Sequence, residues 1–132
     1  MIQPTIKVTQ AFKSFGSVNA LHGVTFEVNQ GELFGFLGPN GAGKTTTLRL
    51  LMGFIKPTSG GAEIFGLDAW KQSVTFKNRI GFLPDTVSIP AGLTGKDFLE
   101  YVARLRGYTG PPPLQAELLN RLELSKSSLA QQ

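Results

Sequence analysis

The 132-residue chain has no cysteine, one histidine and one tryptophan, and only 17% of its residues are charged. Without cysteine it can form neither a disulfide framework nor a thiolate metal site. No apolar run approaches the roughly 18 residues that a membrane-spanning helix requires, and the first residues lack the basic and apolar segments of a signal peptide. We therefore expect a cytosolic domain rather than a secreted or integral-membrane protein.

Positive charge is in slight excess and is dispersed along the chain. Thirteen Lys and Arg residues against nine Asp and Glu give a formal net charge of +4. The basic residues are spread from Lys7 to Lys126 without forming a run, which argues against a nucleic-acid-binding patch. We expect no nucleic-acid partner, whereas a mild basic excess suits a protein that binds a polyanion such as a nucleotide.

The apolar pattern predicts several strands. Loose alternation over residues 6–12 and cleaner alternation over 24–28 are typical of half-buried strands. Residues 33–37 are apolar on both faces, which predicts a strand buried on both sides, as in a parallel α/β sheet. Shorter strands are predicted at 62–65 and 80–83.

Helices are predicted in three regions, with a further short one within residues 69–78. The first has an apolar stripe of four residues: Leu48, Leu51, Met52 and Ile55. The second begins at Thr94, with Asp97 as its capping-box partner, and ends before Gly107. Its predicted buried face consists of Phe98, Leu99, Val102 and Leu105, and the last helix carries Leu114, Leu118 and Leu122 on one side.

Glycine is in excess, at sixteen residues, and three glycines lie in the run Gly38-Pro39-Asn40-Gly41-Ala42-Gly43-Lys44-Thr45. This is the phosphate-binding pattern G-x-x-x-x-G-K-T, lying between a predicted strand and a predicted helix. Glycines allow successive backbone N–H groups to face an anion, and the helix N-terminus adds its positive dipole end. A glycine-rich turn beside an exposed lysine is the alternative interpretation.

The residues after these glycines also suit a nucleotide. Lys44 can place a point charge on the β- and γ-phosphates, so it is our candidate catalytic residue. The Thr45 hydroxyl is a suitable ligand for Mg²⁺, and Thr46 can donate to the α-phosphate. The predicted nucleotide-binding residues are therefore Gly38, Pro39, Asn40, Gly41, Ala42, Gly43, Lys44, Thr45 and Thr46, with ATP and Mg²⁺ as ligands.

With Leu48 and then Pro57-Thr58-Ser59-Gly60 after this loop, the chain resembles the start of an ABC transporter ATP-binding subunit. The resemblance covers essentially the whole chain and is closest to the ATPases of ABC-2-type exporters. Lys13-Ser14-Phe15-Gly16 is similar to the family's A-loop, whose aromatic residue, here Phe15, would stack on adenine. Ile80-Gly81-Phe82-Leu83-Pro84 is similar to the run that leads into its Q-loop.

The resemblance implies an incomplete α/β P-loop NTPase fold. An N-terminal antiparallel β subdomain belongs to a nucleotide-binding core over residues 1–91, and a helical subdomain begins over 92–132. It also implies partners: membrane-spanning transporter subunits and a second ATP-binding subunit in a head-to-tail dimer. The subunit would lie in the cytoplasm at the inner face of the membrane.

Asp85 departs from the family pattern, which usually has Gln or Glu after the strand and proline. A carboxylate there can still reach Mg²⁺ or its water, so Asp85 is a candidate metal ligand. The same run also resembles a Walker B strand, although Pro84 is awkward in a central strand because it has no N–H. A solvated turn residue is a third interpretation of Asp85.

The family's signature motif, its Walker B Asp-Glu pair and its switch histidine do not occur in this sequence. The single histidine, His22, is interpreted as an ordinary turn or surface residue. We therefore expect an N-terminal fragment that binds MgATP without appreciable turnover. The alternatives are an ATP-binding regulatory module, a non-hydrolysing remnant and another P-loop enzyme. Against the last of these, the base-reading Asn-Lys-x-Asp of GTPases does not occur.

Overall fold

The computed structural model describes residues 3–84, 86, 90–125 and 129–130. The chain divides into two compact units, one that ends at Gly81 and one that begins at Phe82. The domain boundary after residue 91 stays a prediction. Among the helices in the described part of the chain, none is long and apolar enough to cross a bilayer.

An antiparallel sheet of four strands forms the first unit. The strands are β1 (Ile6–Phe15), β2 (Val18–Val28), β3 (Ser59–Ile64) and β4 (Leu67–Asp68), in the spatial order β2-β1-β3-β4. All neighbouring pairs are antiparallel. The predicted N-terminal antiparallel β subdomain is therefore confirmed, with β1 and β2 longer than the alternation of residues indicated.

Two helices accompany this sheet: α1 (Lys44–Leu51) and α2 (Ser73–Lys77). The core joins apolar residues of the sheet, of α1 and of the α2 region: Val8, Ala11, Leu21, Leu50, Leu51, Ala62, Ile64, Ala69 and Phe76. Helix α1 thus lies with its C-terminal half against the sheet, and its N-terminus receives the glycine-rich loop.

The predicted apolar stripe of α1 is confirmed at Leu51, which is buried, and at Ile55, which packs against the core after the helix ends, but it is wrong at Leu48. The helix buries Thr47, Leu50 and Leu51, whereas Leu48 is 45% exposed. The buried residues have the same i, i+3, i+4 spacing as the predicted stripe, but the face begins one position earlier, at Thr47. Thr47 can be buried there because its hydroxyl is satisfied by a backbone carbonyl. The helix also ends earlier than predicted, and Gly53 follows with a φ of +63°.

The buried strand predicted at residues 33–37 is also wrong. This segment, all of it described, pairs with none of the described strands, and Leu33 is 100% and Leu37 93% exposed. Phe34 and Phe36 pack on Phe26 of β2, with ring centroids 5.1 and 5.5 Å away. A strand inside a parallel sheet needs a hydrogen-bonded neighbouring strand on each edge, and the described residues provide neither.

Residues 80–83 likewise form no strand in the described structure, contrary to the prediction. Leu83 is 86% exposed. The physical reason is the same as for residues 33–37, because a short apolar run becomes a strand only where another strand completes its hydrogen bonds.

The second unit contains α3 (Gly95–Leu105) and α4 (Gln115–Arg121). The predicted capping box is confirmed: the Asp97 N–H donates to Thr94 Oγ1 at 3.1 Å, and the Thr94 N–H donates to Asp97 Oδ2 at 3.0 Å. The predicted end at Gly107 is confirmed too, with a φ of +82°. The Gly107 and Tyr108 N–H groups donate to the carbonyls of Arg104 and Ala103.

The predicted buried faces of these helices are only partly covered. In α3, Phe98 and Leu99 are half-buried. Ala103 is the buried residue of α3, whereas Val102 is 40% and Leu105 68% exposed. The three leucines predicted to be buried in the last helix are at least half exposed, at 61, 50 and 67% for Leu114, Leu118 and Leu122. An amphipathic pattern identifies the apolar side of a helix, but burial requires a partner, and the described part of this unit provides too little apolar surface to cover both helices.

Candidate nucleotide-binding site

Gly43, at the N-cap of α1, fixes the glycine-rich loop to the sheet. Its φ of +86° lies in the left-handed region, and it is buried. A Cβ at this position would lie 2.6 Å from Leu21 Cδ2 and 2.7 Å from the Ala20 carbonyl oxygen, both on β2. Position 43 therefore requires glycine for its backbone angle and for its close approach to β2.

Thr47 supports the same residue from inside the helix. Its hydroxyl donates to the Gly43 carbonyl at 2.9 Å, and its backbone N–H donates to that same carbonyl at 2.8 Å. Thr47 is only 1% exposed. Thr47 lies outside the phosphate-binding motif, although a threonine four residues after a helix cap is a known pattern for this back-bond.

Lys44 folds back over the start of the loop. Its ammonium donates to the carbonyls of Gly38 and Pro39, at 2.5 and 2.7 Å. The Ala42 N–H also donates to the Pro39 carbonyl, at 3.2 Å, which closes the loop into a turn. An ammonium group has three N–H donors, so one remains for an anion bound in the loop.

The N-terminus of α1 is electrostatically suited to an anion. The backbone N–H groups of its first turn, which includes Lys44, Thr45 and Thr46, have no helical carbonyl to bond. Gly43 provides no side-chain cap, and the first turn contains no acidic residue. A lysine at the positive end of a helix dipole is unfavourable alone, so a bound anion would stabilise this arrangement.

Thr45 fits the role predicted for it toward Mg²⁺. It lies in the first turn of α1 with its side chain exposed, and a hydroxyl oxygen is a hard ligand of the kind that Mg²⁺ prefers. Mg²⁺ keeps several waters and binds substrate phosphates, so one protein hydroxyl suits it without a dedicated cage of carboxylates.

Phe15 ends β1, and its side chain is 49% exposed. It pairs with Val18 across the turn of the β1–β2 hairpin. Ala20, only two residues after Val18, contacts Gly43 at the N-cap of α1. The hairpin therefore brings the end that carries Phe15 close to the glycine-rich loop.

Two other residues from the sequence analysis contribute nothing observable to this site. Asp85 lies outside the described residues, so its predicted role stays a prediction. His22 lies within β2 rather than in a turn, and its side chain is exposed.

The glycine-rich loop is an open surface. Gly38, Pro39, Asn40, Gly41 and Ala42 are all exposed. A cavity of about 370 Å³ lies elsewhere, beside α3 in the second unit. Among the described residues the candidate site is therefore an exposed cradle rather than an enclosed pocket.

Comparison with known proteins identifies the family. The sequence model of the ABC transporter family matches residues 21–130. The chain belongs to the ABC transporter family. The bacitracin transport ATP-binding protein BcrA of Bacillus licheniformis is 43% identical over 102 residues, which are 77% of this chain and 33% of that protein. The daunorubicin/doxorubicin resistance ATP-binding protein DrrA of Streptomyces peucetius is 38% identical over 109 residues, which are 81% of this chain and 33% of that protein.

Solved structures of the ABC transporter family share the fold. A structure of an ATP-binding subunit of an ABC transporter superposes with a TM-score of 0.76 at 27% identity, covering 96% of this chain and 53% of that one. A bacterial ABC transporter cassette, solved as a dimer, gives a TM-score of 0.80 at 21% identity. The predicted α/β P-loop fold in partial form is confirmed. The chain spans about a third of the length of the two curated relatives.

Proposed function

We propose that this chain binds MgATP through residues 38–46 and is part of an ABC transporter ATPase subunit that energises export across a membrane. The exporter assignment is supported by the names of the relatives, one a bacitracin transport protein and the other a drug-resistance protein. The cytoplasmic face of the membrane is the corresponding location.

The observation that carries this proposal is the N-terminus of α1. This terminus has free helical N–H groups, a glycine cap and a lysine in the first turn, and that turn contains no acidic residue. The positive charge of such a site is balanced when an anion binds. The remaining Lys44 donor would bond the β- and γ-phosphates and would stabilise the charge that develops during phosphoryl transfer. Thr45 would ligate Mg²⁺, Thr46 would donate to the α-phosphate, and Phe15 would stack on adenine.

Hydrolysis requires groups beyond this cradle. A base or water-orienting residue and a second clamp on the phosphates are needed, and the sequence contains neither the signature Ser-Gly-Gly-Gln nor an Asp-Glu pair. We therefore propose that the 132-residue chain binds MgATP without turning it over. A second ATP-binding subunit and membrane-spanning subunits are the partners proposed for the whole transporter. Phosphate release that disappears in Lys44→Ala would contradict the absence of turnover.

The experiment that tests nucleotide binding is a thermal-shift titration with MgATP. Stabilisation that grows with ligand concentration is expected for the wild type and not for Lys44→Ala, because only a folded binding site gains from mass action. Lys71→Ala is the matched control, since it removes an exposed lysine of the same unit. A wild type that does not respond to MgATP, or a Lys44→Ala variant that responds equally, would contradict the proposal.

A further inference from the structure

Lys13 makes two contacts that connect the ring of Phe15 to the chain that follows α1. Its ammonium lies 4.9 Å from the centroid of the Phe15 ring, within the range of a cation–π interaction. The same ammonium donates to the Lys56 carbonyl at 2.9 Å. Lys13 and Phe15 are two residues apart on β1, so strand alternation places them on the same face.

The neighbouring backbone reinforces this connection. The Ser14 N–H donates to Thr58 Oγ1 at 3.0 Å, and the Thr58 N–H donates to the Phe12 carbonyl at 2.8 Å. These two bonds and the bond from Lys13 to Lys56 make three hydrogen bonds in all. They join the end of β1 to residues 56–58, a few residues after α1 ends. The strand that carries Phe15 is therefore fastened to the segment that continues from the phosphate-loop helix.

We propose that Lys13 is a positioning residue for the adenine base, an inference that rests on the proposed function. With one face of the Phe15 ring covered by an ammonium that a backbone carbonyl holds in place, the base can stack only on the opposite face. The cation also limits rotation of an aromatic side chain that is half exposed. Lys13 thus acts through Phe15 and does not itself touch the nucleotide.

The test compares two ligands that differ in the base. Calorimetric titrations of the full chain with MgATP and with Mg-tripolyphosphate separate base recognition from phosphate binding. Lys13→Met removes the cation and keeps an apolar stem, and it is expected to weaken MgATP binding by about threefold, because the Phe15 side chain is then no longer held in place before the base binds and must be ordered on binding. Binding of Mg-tripolyphosphate is expected to change much less. The ratio of the affinity for MgATP to the affinity for Mg-tripolyphosphate therefore falls.

Three further variants make the result specific. Lys13→Arg retains a cation and N–H donors at the same position and is expected to restore the wild-type ratio. Lys7→Met removes a lysine from the same strand, one that pairs with Glu27 at 2.9 Å, and is expected to leave the ratio unchanged. Phe15→Ala should lower the ratio and make it insensitive to Lys13→Met.

The possible failures are distinguishable. If Lys13→Met weakened the binding of both ligands equally, or left the ratio of their affinities unchanged, the positioning role would be overturned. The proposal that the chain binds MgATP would still stand. A wild-type chain that binds neither MgATP nor Mg-tripolyphosphate would overturn the proposed function. Circular dichroism of each variant checks that the comparison is made between folded chains.

Discussion

At the scale of single residues, two glycines of the phosphate loop have the same backbone angle and different surroundings. Gly41 has a φ of +85° and Gly43 a φ of +86°. A Cβ would have no neighbour within 4 Å at Gly41, whereas at Gly43 it would meet Leu21 and the backbone of Ala20. Substituting each of the two glycines by alanine therefore separates two costs to the stability of the fold: that of a left-handed backbone alone, and that of steric overlap added to it.

We expect Gly41→Ala to lower the free energy of unfolding by about 1 kcal/mol, the cost of a left-handed non-glycine residue. Gly43→Ala should lower it by about 2–4 kcal/mol, because overpacking adds to the same strain. Urea unfolding followed by the fluorescence of Trp70, the single tryptophan and part of the first unit, measures both. Equal losses in the two variants would contradict the packing of Gly43 against β2.

A short motif allows a role to be proposed for a residue from the sequence alone, whereas a contact between distant parts of the chain does not. The roles predicted for the glycines, Lys44 and Thr45 rest on a pattern of eight consecutive residues, whose chemistry is local, and they stay predictions. Thr47 and Lys13 were missed, because their roles depend on a buried back-bond and on a carbonyl 43 positions away. No spacing in the sequence indicates that Lys13 lies near Lys56.

At the scale of elements, the start of α3 depends on the ionised form of Asp97. The side-chain hydrogen bond with Thr94, followed by the bond from the Thr94 backbone, lowers the pKa of Asp97 below its ordinary value of 3.8. A carboxyl group whose pKa is lower in the folded state stabilises that state above its unfolded pKa. The contribution is lost as the pH falls below 3.8 and through the folded pKa.

We therefore expect the first turn of α3 to lose protection on acidification below 3.8. Amide hydrogen exchange of Phe98, whose N–H donates to the Thr94 carbonyl, reports on this turn. Asp97→Asn should weaken protection near neutrality and abolish its dependence on pH. Glu117→Gln, which removes a carboxylate of α4, is the control. A retained pH dependence in Asp97→Asn would contradict the role of the capping box.

Element boundaries defined by local chemistry were predicted well. The capping box at Thr94 and the glycine after α3 are confirmed, because each involves residues within one turn of the helix end. The predicted strands at 33–37 and 80–83 are wrong, because a strand exists only through a partner that the sequence pattern does not identify. The apolar face of α1 begins at Thr47 rather than at the predicted Leu48 for a similar reason, since burial is decided by the sheet against which the helix packs.

At the scale of the whole molecule, apolar surface is distributed unevenly. The first unit has a closed core around Val8, Leu50 and Phe76, each at most 2% exposed. In the same unit the leucines at both ends of the segment 33–37 are almost fully exposed. Exposed apolar segments without strand partners are surfaces at which proteins associate.

The sequence of this segment, Leu33-Phe34-Gly35-Phe36-Leu37, reads identically in both directions. Antiparallel pairing of two copies about a two-fold axis at Gly35 would place each Leu33 opposite a Leu37 of the second copy. We expect this chain to self-associate through the segment, and the double variant Leu33→Lys with Leu37→Lys to weaken that association by about tenfold or more, since one buried leucine contributes about 1.5–3 kcal/mol and lysines repel across such a pair.

Light scattering coupled to gel filtration, over a range of protein concentrations, measures this association. Val74→Lys is the matched control, because Val74 is 85% exposed in α2 and lies outside the segment. Val74→Lys should leave the association constant unchanged, whereas Gly35→Pro should lower it as the double variant does, since proline removes the backbone N–H needed for pairing. Equal association of wild type and double variant would show that copies meet through another surface, and the exposed leucines would then have no part in assembly.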